Sequence, residues 1–204
     1  MSFPTRLTTK MTGTTRAQLA YWRKHAILVP EIESAQRPYL YSFRDIVDLR
    51  VFAYLRGTYS LAMIRKMLST LRELDMVERP GSYELVTMGS SIAVRVQDGT
   101  VVDLVKQPGN TTVGTLADVF GEFVTVGGKK IDDLFRPREG VQVDPRRLGG
   151  WPTIAGTRIP FDTIADLISD GSIAPDKVGR FYPGVTAKDA RDALDYQASI
   201  RKAS

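Results

Sequence analysis

Basic side chains without acidic neighbours are the most chemically suggestive feature of the sequence. The first thirty residues hold five of them and no Asp or Glu, namely Arg6, Lys10, Arg16, Arg23 and Lys24. Such a concentration of positive charge favours a polyanionic partner, because contacts with phosphates release counterions and give affinity that is independent of base sequence. A solvated basic surface is an equally good interpretation of the charge alone.

The positive charge is concentrated towards the amino-terminal end of the chain. Residues 1–80 carry 13 Lys and Arg against 7 Asp and Glu, whereas residues 81–140 carry 6 against 8. Residues 141–204 are nearly balanced, with 9 against 8. If the chain binds nucleic acid, we therefore expect the first 80 residues to do so.

Residue types that commonly perform catalysis or bind metals are scarce. The chain has no cysteine, which excludes disulfides and thiolate metal sites, and its only histidine is His25. Neither a phosphate-binding loop nor a dinucleotide-binding motif occurs. The adjacent acids Asp132 and Asp133 could suggest a metal site, but capping or surface charge is the better interpretation. We therefore predict no enzyme activity, no catalytic residue, no metal and no cofactor.

Two short helices around a tight turn would position the basic side chains. A helix over residues 7–11, a turn at Gly13 and a second helix capped by Thr15 are predicted. Leu19 and Trp22 are three residues apart, so they share the buried face of the second helix. This arrangement is typical of a helix-turn-helix, whose second helix enters the major groove of DNA with its first residues at base edges.

We expect the second helix and the segment after it to contact DNA. Residues 29–41 are long enough for a small hairpin wing. The predicted DNA-binding residues are Thr15, Arg16, Gln18, Tyr21, Arg23 and Lys24 on the helix, and Arg37 and Tyr39 on the wing.

The amino-terminal pattern resembles the winged-helix domain of the mercury-resistance-regulator (MerR) family. The motifs that carry the resemblance are Thr12-Gly13-Thr14-Thr15-Arg16, Tyr21-Trp22, Tyr39-Leu40-Tyr41-Ser42, Asp45-Ile46, Leu49, Gly57-Thr58-Tyr59-Ser60-Leu61, Ile64 and Leu68. Within them, a capping-box pattern begins one helix at Ser42, Gly57 ends it, and Ser60 begins another. The resemblance covers residues 5–74 and implies DNA binding by the helix that follows Thr15, with phosphate contacts from the wing.

The sequence departs from the MerR pattern in two respects. Ala17 and Ala20 stand where the family often has arginine. The long carboxy-terminal helix and the effector-site cysteines of the metal-sensing members are missing. A metal-responsive activator is therefore not expected.

The hydropathy pattern changes from helical to alternating in residues 81–140. Strands are predicted at 83–86, 92–96 and 101–105, with Asp98-Gly99 as a hairpin turn. A mixed pattern continues on both sides of Gly127-Gly128. A small sheet that separates two helical modules or pairs two subunits is the expected result.

Residues 141–204 are predicted to form a second winged helix-turn-helix. Glycine and proline within residues 149–160 indicate a tight hairpin. Asp162 is the expected cap of the helix that follows. Thr186 and Asp189 form a capping-box pattern at the start of the last helix.

The same region resembles the domain-of-unknown-function family numbered 433. The motifs are Asp144-Pro145, Gly150-Trp151-Pro152-Thr153-Ile154-Ala155-Gly156-Thr157-Arg158-Ile159-Pro160, Tyr182-Pro183 and Ala193-Leu194. Members look like small winged-helix antitoxin domains that are commonly paired with PIN-like ribonuclease toxins. A MerR-like module followed by this domain resembles a Vap-type (VapB-like) antitoxin, which implies a homodimer with operator DNA and a toxin as partners.

Three basic residues of this region are the candidates for binding a protein partner, namely Arg158, Lys188 and Arg191. Arg158 could reach the acidic metal site of a toxin, but bracing its own hairpin through backbone carbonyls is the favoured interpretation. The last helix also carries Asp189, Asp192 and Asp195, which phosphates would repel. We therefore expect this surface to suit a protein rather than DNA.

Together these patterns predict an α+β protein in three parts. Residues 1–80 would be a MerR-like winged helix-turn-helix, residues 81–140 a β-rich central and dimerisation segment, and residues 141–204 an antitoxin-like winged helix-turn-helix. No apolar run approaches the roughly 20 residues that cross a membrane, and no secretory signal is evident, so a cytoplasmic location is expected.

The predicted function is that of an antitoxin that represses its own operon and neutralises a PIN-like ribonuclease by stoichiometric binding. One alternative is a MerR-like transcription regulator that responds to a small molecule through a pocket in the central sheet. Another is an adaptor protein without affinity for DNA.

Overall fold

The chain folds into two compact units in a computed structural model that describes residues 1–73, 84–88, 91–95, 101–105, 113–115 and 119–203. The terminal unit combines Met1–Met11, Pro30–Phe43 and Asp132–Ser204, and the central unit combines Thr12–Val29 and Arg44–Ile131. Each unit is therefore assembled from segments that are distant in the sequence. The three-part division expected from the sequence stays a prediction.

Helices dominate the first 73 residues, as the hydropathy pattern predicts. They are α1 at Thr5–Thr12, α2 at Arg16–Lys24, α3 at Phe43–Leu55 and α4 at Leu61–Glu73. The two helices around the Gly13 turn are confirmed, and so are the helix that ends before Gly57 and the one that begins after Ser60. Except for its last residue, α1 belongs to the terminal unit, whereas α2 belongs to the central unit.

α2 buries the predicted face within the central unit. Leu19 and Trp22 are each only 3% exposed. The Trp22 ring meets the Phe52 ring of α3 edge-on, with their centroids 5.5 Å apart. Such an aromatic pair adds about 1 kcal/mol to the free energy gained by burying both rings.

α3 is the most buried helix of the central unit, and three of its charged side chains are buried, namely Asp45, Asp48 and Arg50. A charged side chain is rarely this buried unless its polar atoms are bonded, because desolvation is costly. The guanidinium of Arg50 donates to the Val119 carbonyl at 2.5 Å and to the next two carbonyls, those of Phe120 and Gly121, at 3.2 and 2.6 Å. Arg50 therefore anchors this turn of the chain to α3.

A four-stranded antiparallel sheet lies in the central unit, with strand order β5-β4-β3-β6. In chain order the strands are β3 at Glu84–Met88, β4 at Ser91–Arg95, β5 at Val101–Asp103 and β6 at Val113–Thr115. The strands predicted from the alternating pattern are confirmed, whereas the Asp98-Gly99 turn lies outside the described residues. The first four residues of β4 are all buried, so both faces of this inner strand are covered.

A two-stranded hairpin ends the central unit. β7 (Phe123–Val124) pairs with β8 (Lys130–Ile131) in antiparallel register. The turn falls at the predicted Gly127-Gly128, where Gly128 has a φ of +76° and its N–H donates to the Thr125 carbonyl at 2.9 Å. Glycine adopts this left-handed conformation without a steric cost, and short hairpin loops commonly require it.

The predicted wing is a bridged loop within the terminal unit. Glu33 and Leu40 exchange two backbone hydrogen bonds of 3.1 Å, which close the loop at its base. The second strand of the wing, β2 (Leu40–Tyr41), then pairs with β1 (Phe3–Pro4). The predicted small hairpin wing is therefore a bridged loop that is also tied to the first residues of the chain. Burial explains the difference, since the Phe3 and Tyr41 side chains are opposite in this register and almost completely buried.

The carboxy-terminal part of the terminal unit is a small hairpin followed by helices. In chain order the elements are β9 at Val141–Gln142, a 3₁₀ helix at Leu148–Gly150, β10 at Thr153–Ile154, α5 at Phe161–Ser169, a 3₁₀ helix at Pro175–Lys177, α6 at Val178–Phe181 and α7 at Ala187–Lys202. β9 and β10 are paired. The predicted tight hairpin follows directly, because the Ile154 N–H donates to the Ile159 carbonyl at 2.8 Å and Thr153 is bridged to Pro160. α5 packs against α7 through the Phe161 and Tyr196 rings, whose centroids are 5.1 Å apart. That these elements constitute a second winged helix-turn-helix stays a prediction.

The two caps predicted for this part have different outcomes. The α7 capping box is confirmed, because Thr186 Oγ1 accepts from the Asp189 N–H at 3.1 Å and an Asp189 oxygen accepts from the Thr186 N–H at 2.9 Å. The prediction that Asp162 caps α5 is wrong, because α5 begins at Phe161, two residues before the start that such a cap would give, and Pro160 stands at the cap position. The Asp162 carboxylate instead accepts from the Trp151 indole at 3.4 Å.

The first residues of the chain pack against its carboxy-terminal part within the terminal unit. The Phe3 and Trp151 rings have centroids 5.7 Å apart. Thr9 Oγ1 donates to the Ala203 carbonyl at 3.0 Å. α1 and the strand before it are therefore held by residues far along the chain, which no local pattern could indicate.

An ionic network strengthens this packing. Asp132 accepts from Lys10 at 2.8 Å and from Arg138 at 2.9 Å, and Arg138 also donates to Asp195 at 2.7 Å. Burial would raise the pKa of Asp132, but the hydrogen bonds and charges of Lys10 and Arg138 outweigh it and lower that pKa from the ordinary 3.8. The carboxylate of Asp133 accepts from the backbone N–H groups of Phe135 and Arg136 at 2.8 and 2.7 Å, in a bend of the chain rather than at the start of a helix.

Neither a membrane-crossing helix nor a cluster of metal ligands occurs in the described residues. Among them, no helix combines the length and the apolar character that a membrane crossing requires. Nor do His, Asp and Glu side chains in these parts of the chain form a group of three or more that could hold a metal ion.

Replacing Arg50 with methionine tests the anchor in α3, because methionine keeps an apolar side chain but removes the guanidinium. We expect the free energy of unfolding to fall by about 3 kcal/mol, since three backbone carbonyls would lose their donor. Urea denaturation followed by tryptophan fluorescence measures the change. Arg44→Met is the matched control, because Arg44 is exposed on the same helix. Equal losses in the two variants would contradict the anchoring role.

Asp132→Asn tests the ionic network. We expect it to lower the free energy of unfolding at pH 7 by about 2 kcal/mol, because two charge-assisted hydrogen bonds are weakened. The folded pKa of Asp132 is lowered, so its contribution is present above its ordinary pKa of 3.8 and is lost as the pH falls through the folded value. Denaturation midpoints measured from pH 7 to pH 3 should therefore fall more steeply for the wild type than for the variant.

The exposed Asp176 provides the control for this pH experiment. Asp176→Asn should reproduce the wild-type curve, whereas parallel curves for the wild type and Asp132→Asn would show that the network contributes nothing to stability.

Candidate nucleic-acid interface

The start of α2 is fixed by a reciprocal cap. Thr15 Oγ1 accepts from the Gln18 N–H at 3.1 Å, and the Gln18 side-chain oxygen accepts from the Thr15 N–H at 2.8 Å. Just before this cap, Gly13 has a φ of +78°, and a Cβ there would lie 2.7 Å from Ile131 Cγ1. Only glycine suits this turn, because a side chain would meet both backbone strain and a collision with β8.

One face of α2 is exposed. Arg16, Ala17, Ala20 and Lys24 are exposed, whereas Leu19 lies on the buried face. At about 100° per residue, the four exposed positions fall within an arc of about 100°. α2 contains no acidic residue, and this face therefore combines a positive charge at each end with two small side chains between them.

Gln18 is committed in part to the cap. Its carbonyl oxygen is engaged by the Thr15 N–H, which leaves the amide NH₂ as the group that could donate to another molecule. Bidentate recognition of adenine needs both the oxygen and the nitrogen of such an amide. That recognition would therefore require the cap to open.

Tyr21 is paired with a residue that the sequence interpretation missed. Its hydroxyl accepts a hydrogen bond from the Arg65 guanidinium of α4, and the guanidinium carbon lies 5.5 Å from the centre of the Tyr21 ring. The centre of the His25 ring is 4.2 Å from that of the Tyr21 ring. Arg65 and its neighbour Lys66 are both exposed. The adjacent basic pair in a helix that begins after Ser60 was the available signal, but only the fold shows that it reaches α2.

The remaining basic residues of the first thirty differ in their surroundings. Arg6 is exposed on α1, whereas Arg23 is half-buried on α2. Lys10 contributes little to an exposed positive surface, because its side chain is only 11% exposed and forms the ion pair with Asp132. The expectation that all five basic residues present an unbalanced charge is therefore corrected for Lys10.

The two predicted wing residues belong to the terminal unit. Arg37 is exposed, and Tyr39 is half-buried next to the bridge between Glu33 and Leu40. Glu33 also shapes the loop, because its carboxylate accepts from the Ala35 N–H at 2.8 Å.

The three candidates for binding a protein partner differ from one another. Arg158 and Arg191 are exposed, and neither forms a hydrogen bond or ion pair with the residues that the structure describes. Lys188 is paired with the exposed Glu139, and the hydrogen bond from Lys188 to this carboxylate is the main cause that raises the pKa of Lys188. Among the described residues, Arg158 does not make the carbonyl contacts that its favoured bracing role requires. Arg147 donates to the Thr157 carbonyl at 3.3 Å and braces the hairpin instead.

Two family models match separate parts of the chain. Residues 8–71 match the MerR helix-turn-helix family of regulatory proteins. Residues 141–197 match the family described as protein of unknown function DUF433.

Curated relatives come from mycobacteria among other bacteria. The uncharacterized protein Rv2308 of Mycobacterium tuberculosis is 30% identical over 159 residues, which cover 78% of this chain and 61% of Rv2308. The uncharacterized HTH-type transcriptional regulator Rv1830 of the same organism is 30% identical over 133 residues, which cover 60% of this chain and 58% of Rv1830. The chain therefore spans about three fifths of the length of these relatives.

A solved structure shares the fold. The crystal structure of Rv2018 from Mycobacterium tuberculosis superposes with a TM-score of 0.51 over 92% of this chain and 94% of Rv2018, at 18% sequence identity. At this identity the likeness concerns the fold alone. From the two family matches, the chain carries a MerR-type helix-turn-helix region followed by a DUF433 region.

Proposed function

We propose that the chain is a DNA-binding transcription regulator and not an enzyme. The exposed face of α2 carries the proposal, because it is basic, free of acidic residues and fixed by a reciprocal cap at its first turn. A helix of this kind meets the electrostatic requirement for entering a groove lined by phosphates. The match to MerR regulatory proteins and the name of Rv1830 as an HTH-type transcriptional regulator support the same function.

The geometry of α2 suggests how it would read DNA. An α-helix with its side chains is about 10–12 Å across, close to the roughly 12 Å width of the major groove. Arg16 would lie nearest the base edges, and the small side chains of Ala17 and Ala20 would allow close approach and contact with thymine methyl groups. Lys24 at the far end would contact a phosphate.

Other basic residues would add contacts that do not depend on base sequence. Arg23 and the Arg65–Tyr21 pair belong to the same unit as α2, and we assign them to phosphates. We assign Arg37 and Tyr39 of the wing to phosphates as well. A homodimer would then bind a two-fold-related operator, with half-sites separated by about 34 Å or a multiple of it.

We propose further that the regulator is an antitoxin that represses its own operon and neutralises a PIN-like ribonuclease by stoichiometric binding. The DUF433 region supports this function through the resemblance described above. Arg158 and Arg191 support it physically, because they are exposed and lack partners among the described residues, so their charges are available to an acidic surface. The acids Asp192 and Asp195 on the same helix as Arg191 favour a protein partner over DNA.

Arg16→Ala and Lys24→Ala test the role of α2 in DNA binding. We expect each to weaken binding to a duplex from immediately upstream of its own coding sequence by about tenfold, equivalent to about 1.4 kcal/mol. Arg16→Ala should also reduce the preference for this duplex over one of shuffled sequence, whereas Lys24→Ala should weaken both equally. Fluorescence anisotropy at several salt concentrations measures these effects.

Lys177→Ala is the control for the α2 variants, because Lys177 is an exposed lysine of the terminal unit. An unchanged affinity in both α2 variants, or an equal decrease in the Lys177 variant, would count against α2 as the recognition helix.

The antitoxin function is tested by co-expression with the product of the adjacent gene. We expect an affinity-tagged chain to recover a PIN-like ribonuclease in a fixed ratio and to inhibit its cleavage of RNA. The double variant with Arg158→Ala and Arg191→Ala should lose at least part of this inhibition and keep its affinity for DNA, whereas Lys177→Ala should retain both. Recovery of no nuclease, with DNA binding intact, would restrict the function to transcription regulation.

A further inference from the structure

We infer that the β7–β8 hairpin, residues 123–131, is a second DNA-binding element that binds the phosphate backbone beside the start of α2. This inference rests on the proposed DNA binding by α2. It concerns a segment outside the MerR-matched residues 8–71. The hairpin and α2 belong to the same compact unit.

The hairpin lies directly against the turn that precedes α2. A Cβ on Gly13 would be 2.7 Å from Ile131 and 3.1 Å from Thr125 Cγ2, so both sides of the hairpin approach this turn. Thr125 is bonded to Lys129 across the hairpin. The N–H and the hydroxyl of Thr125 donate to the Lys129 carbonyl at 2.9 and 3.3 Å, and the Lys129 N–H donates to the Thr125 hydroxyl at 3.2 Å. Residues that face each other in such a pair have Cα atoms about 5 Å apart, which puts Lys129 close to the first turn of α2.

The hairpin is held firmly at its base. Ile131 is 1% exposed, and the Phe123 ring is packed against the Tyr54 ring, 5.5 Å away, and the Arg50 guanidinium, 5.0 Å away. Arg50 also fixes the carbonyls that precede the hairpin. A rigid element loses little conformational entropy when it binds, so it can contribute affinity even with a few contacts.

The tip of the hairpin, by contrast, is open to solvent. Val126 is 66% exposed, and a Cβ on Gly127 or Gly128 would meet no atom within 4 Å. Lys129 and Lys130 follow and are exposed. The structure therefore presents two lysines on a rigid projection beside the proposed recognition helix.

The charges of the hairpin favour a phosphate as its ligand, because the negative charge of a duplex lies on its phosphates. Lys130 is paired with Glu122 at 2.6 Å, but both groups are more than half exposed, so solvent screens the pair. Counted over residues 122–131, two lysines stand against one glutamate, which gives this segment a formal charge of +1. A duplex with α2 in its major groove has backbone phosphates at the walls of that groove, about one per 3.4 Å along each strand, where this hairpin would lie.

Two substitutions that change the charge of the hairpin in opposite directions test this inference in the full-length chain. Lys129→Ala should weaken binding to the upstream duplex and to the shuffled duplex by the same factor, because phosphates are present in both. The slope of log affinity against log salt should become shallower by about 0.9 for each phosphate that the protein no longer neutralises. Glu122→Gln removes the acidic partner of Lys130 and should strengthen binding to both duplexes. Lys129→Arg, which keeps the charge, should bind like the wild type.

The outcomes separate this inference from the proposed function. If Arg16→Ala weakens binding while Lys129→Ala and Glu122→Gln leave both affinity and salt slope unchanged, the hairpin does not touch DNA and α2 still does. A decrease confined to the upstream duplex would overturn the phosphate assignment in favour of base recognition. If the wild type binds neither duplex, the proposed function fails and the hairpin inference fails with it.

Discussion

A buried guanidinium in α3 is the interaction on which the central unit depends. Arg50 is completely buried, and taking its charge out of water costs several kcal/mol unless bonds replace its hydration. Three successive carbonyls and an aromatic ring provide that replacement. The consequence is structural rather than catalytic. The residues before the β7–β8 hairpin are fixed in position relative to α3, and the hairpin in turn lies against the glycine turn that begins the proposed recognition helix.

Local patterns predicted much of this structure because their causes are local. Thr15 and Thr186 were identified as caps from the residues beside them, and both form the reciprocal bonds. The spacing of Leu19 and Trp22 gave the buried face of α2. The alternating segments became strands. In each case the signal, a cap, a spacing or an alternation, lies within a short stretch of sequence, even where the packing partner is distant, as Phe52 is from Trp22.

The features that sequence reasoning missed depend on partners far along the chain. The sequence analysis did not single out Arg50, whose carbonyl partners follow about 70 residues later. Lys10 looked like part of a basic surface until the fold paired it with Asp132. The wing strand β2 pairs with β1, and the Tyr21 hydroxyl accepts a hydrogen bond from Arg65. These contacts join segments that no sequence motif connects. The Asp162 cap prediction is wrong because the helix begins two residues earlier than expected, directly after a proline.

The central claim is that the exposed face of α2 lies in a DNA groove. A photo-cross-linking amino acid at Ala20 reports on this most directly, because Ala20 is in the middle of that face and is exposed. The matched control places the same group at Thr163, an exposed position of α5 in the terminal unit. The account predicts that the Ala20 variant cross-links to bases of the upstream duplex and that the Thr163 variant does not. Equal cross-linking from both positions, or none from Ala20 while the duplex remains bound, would contradict it.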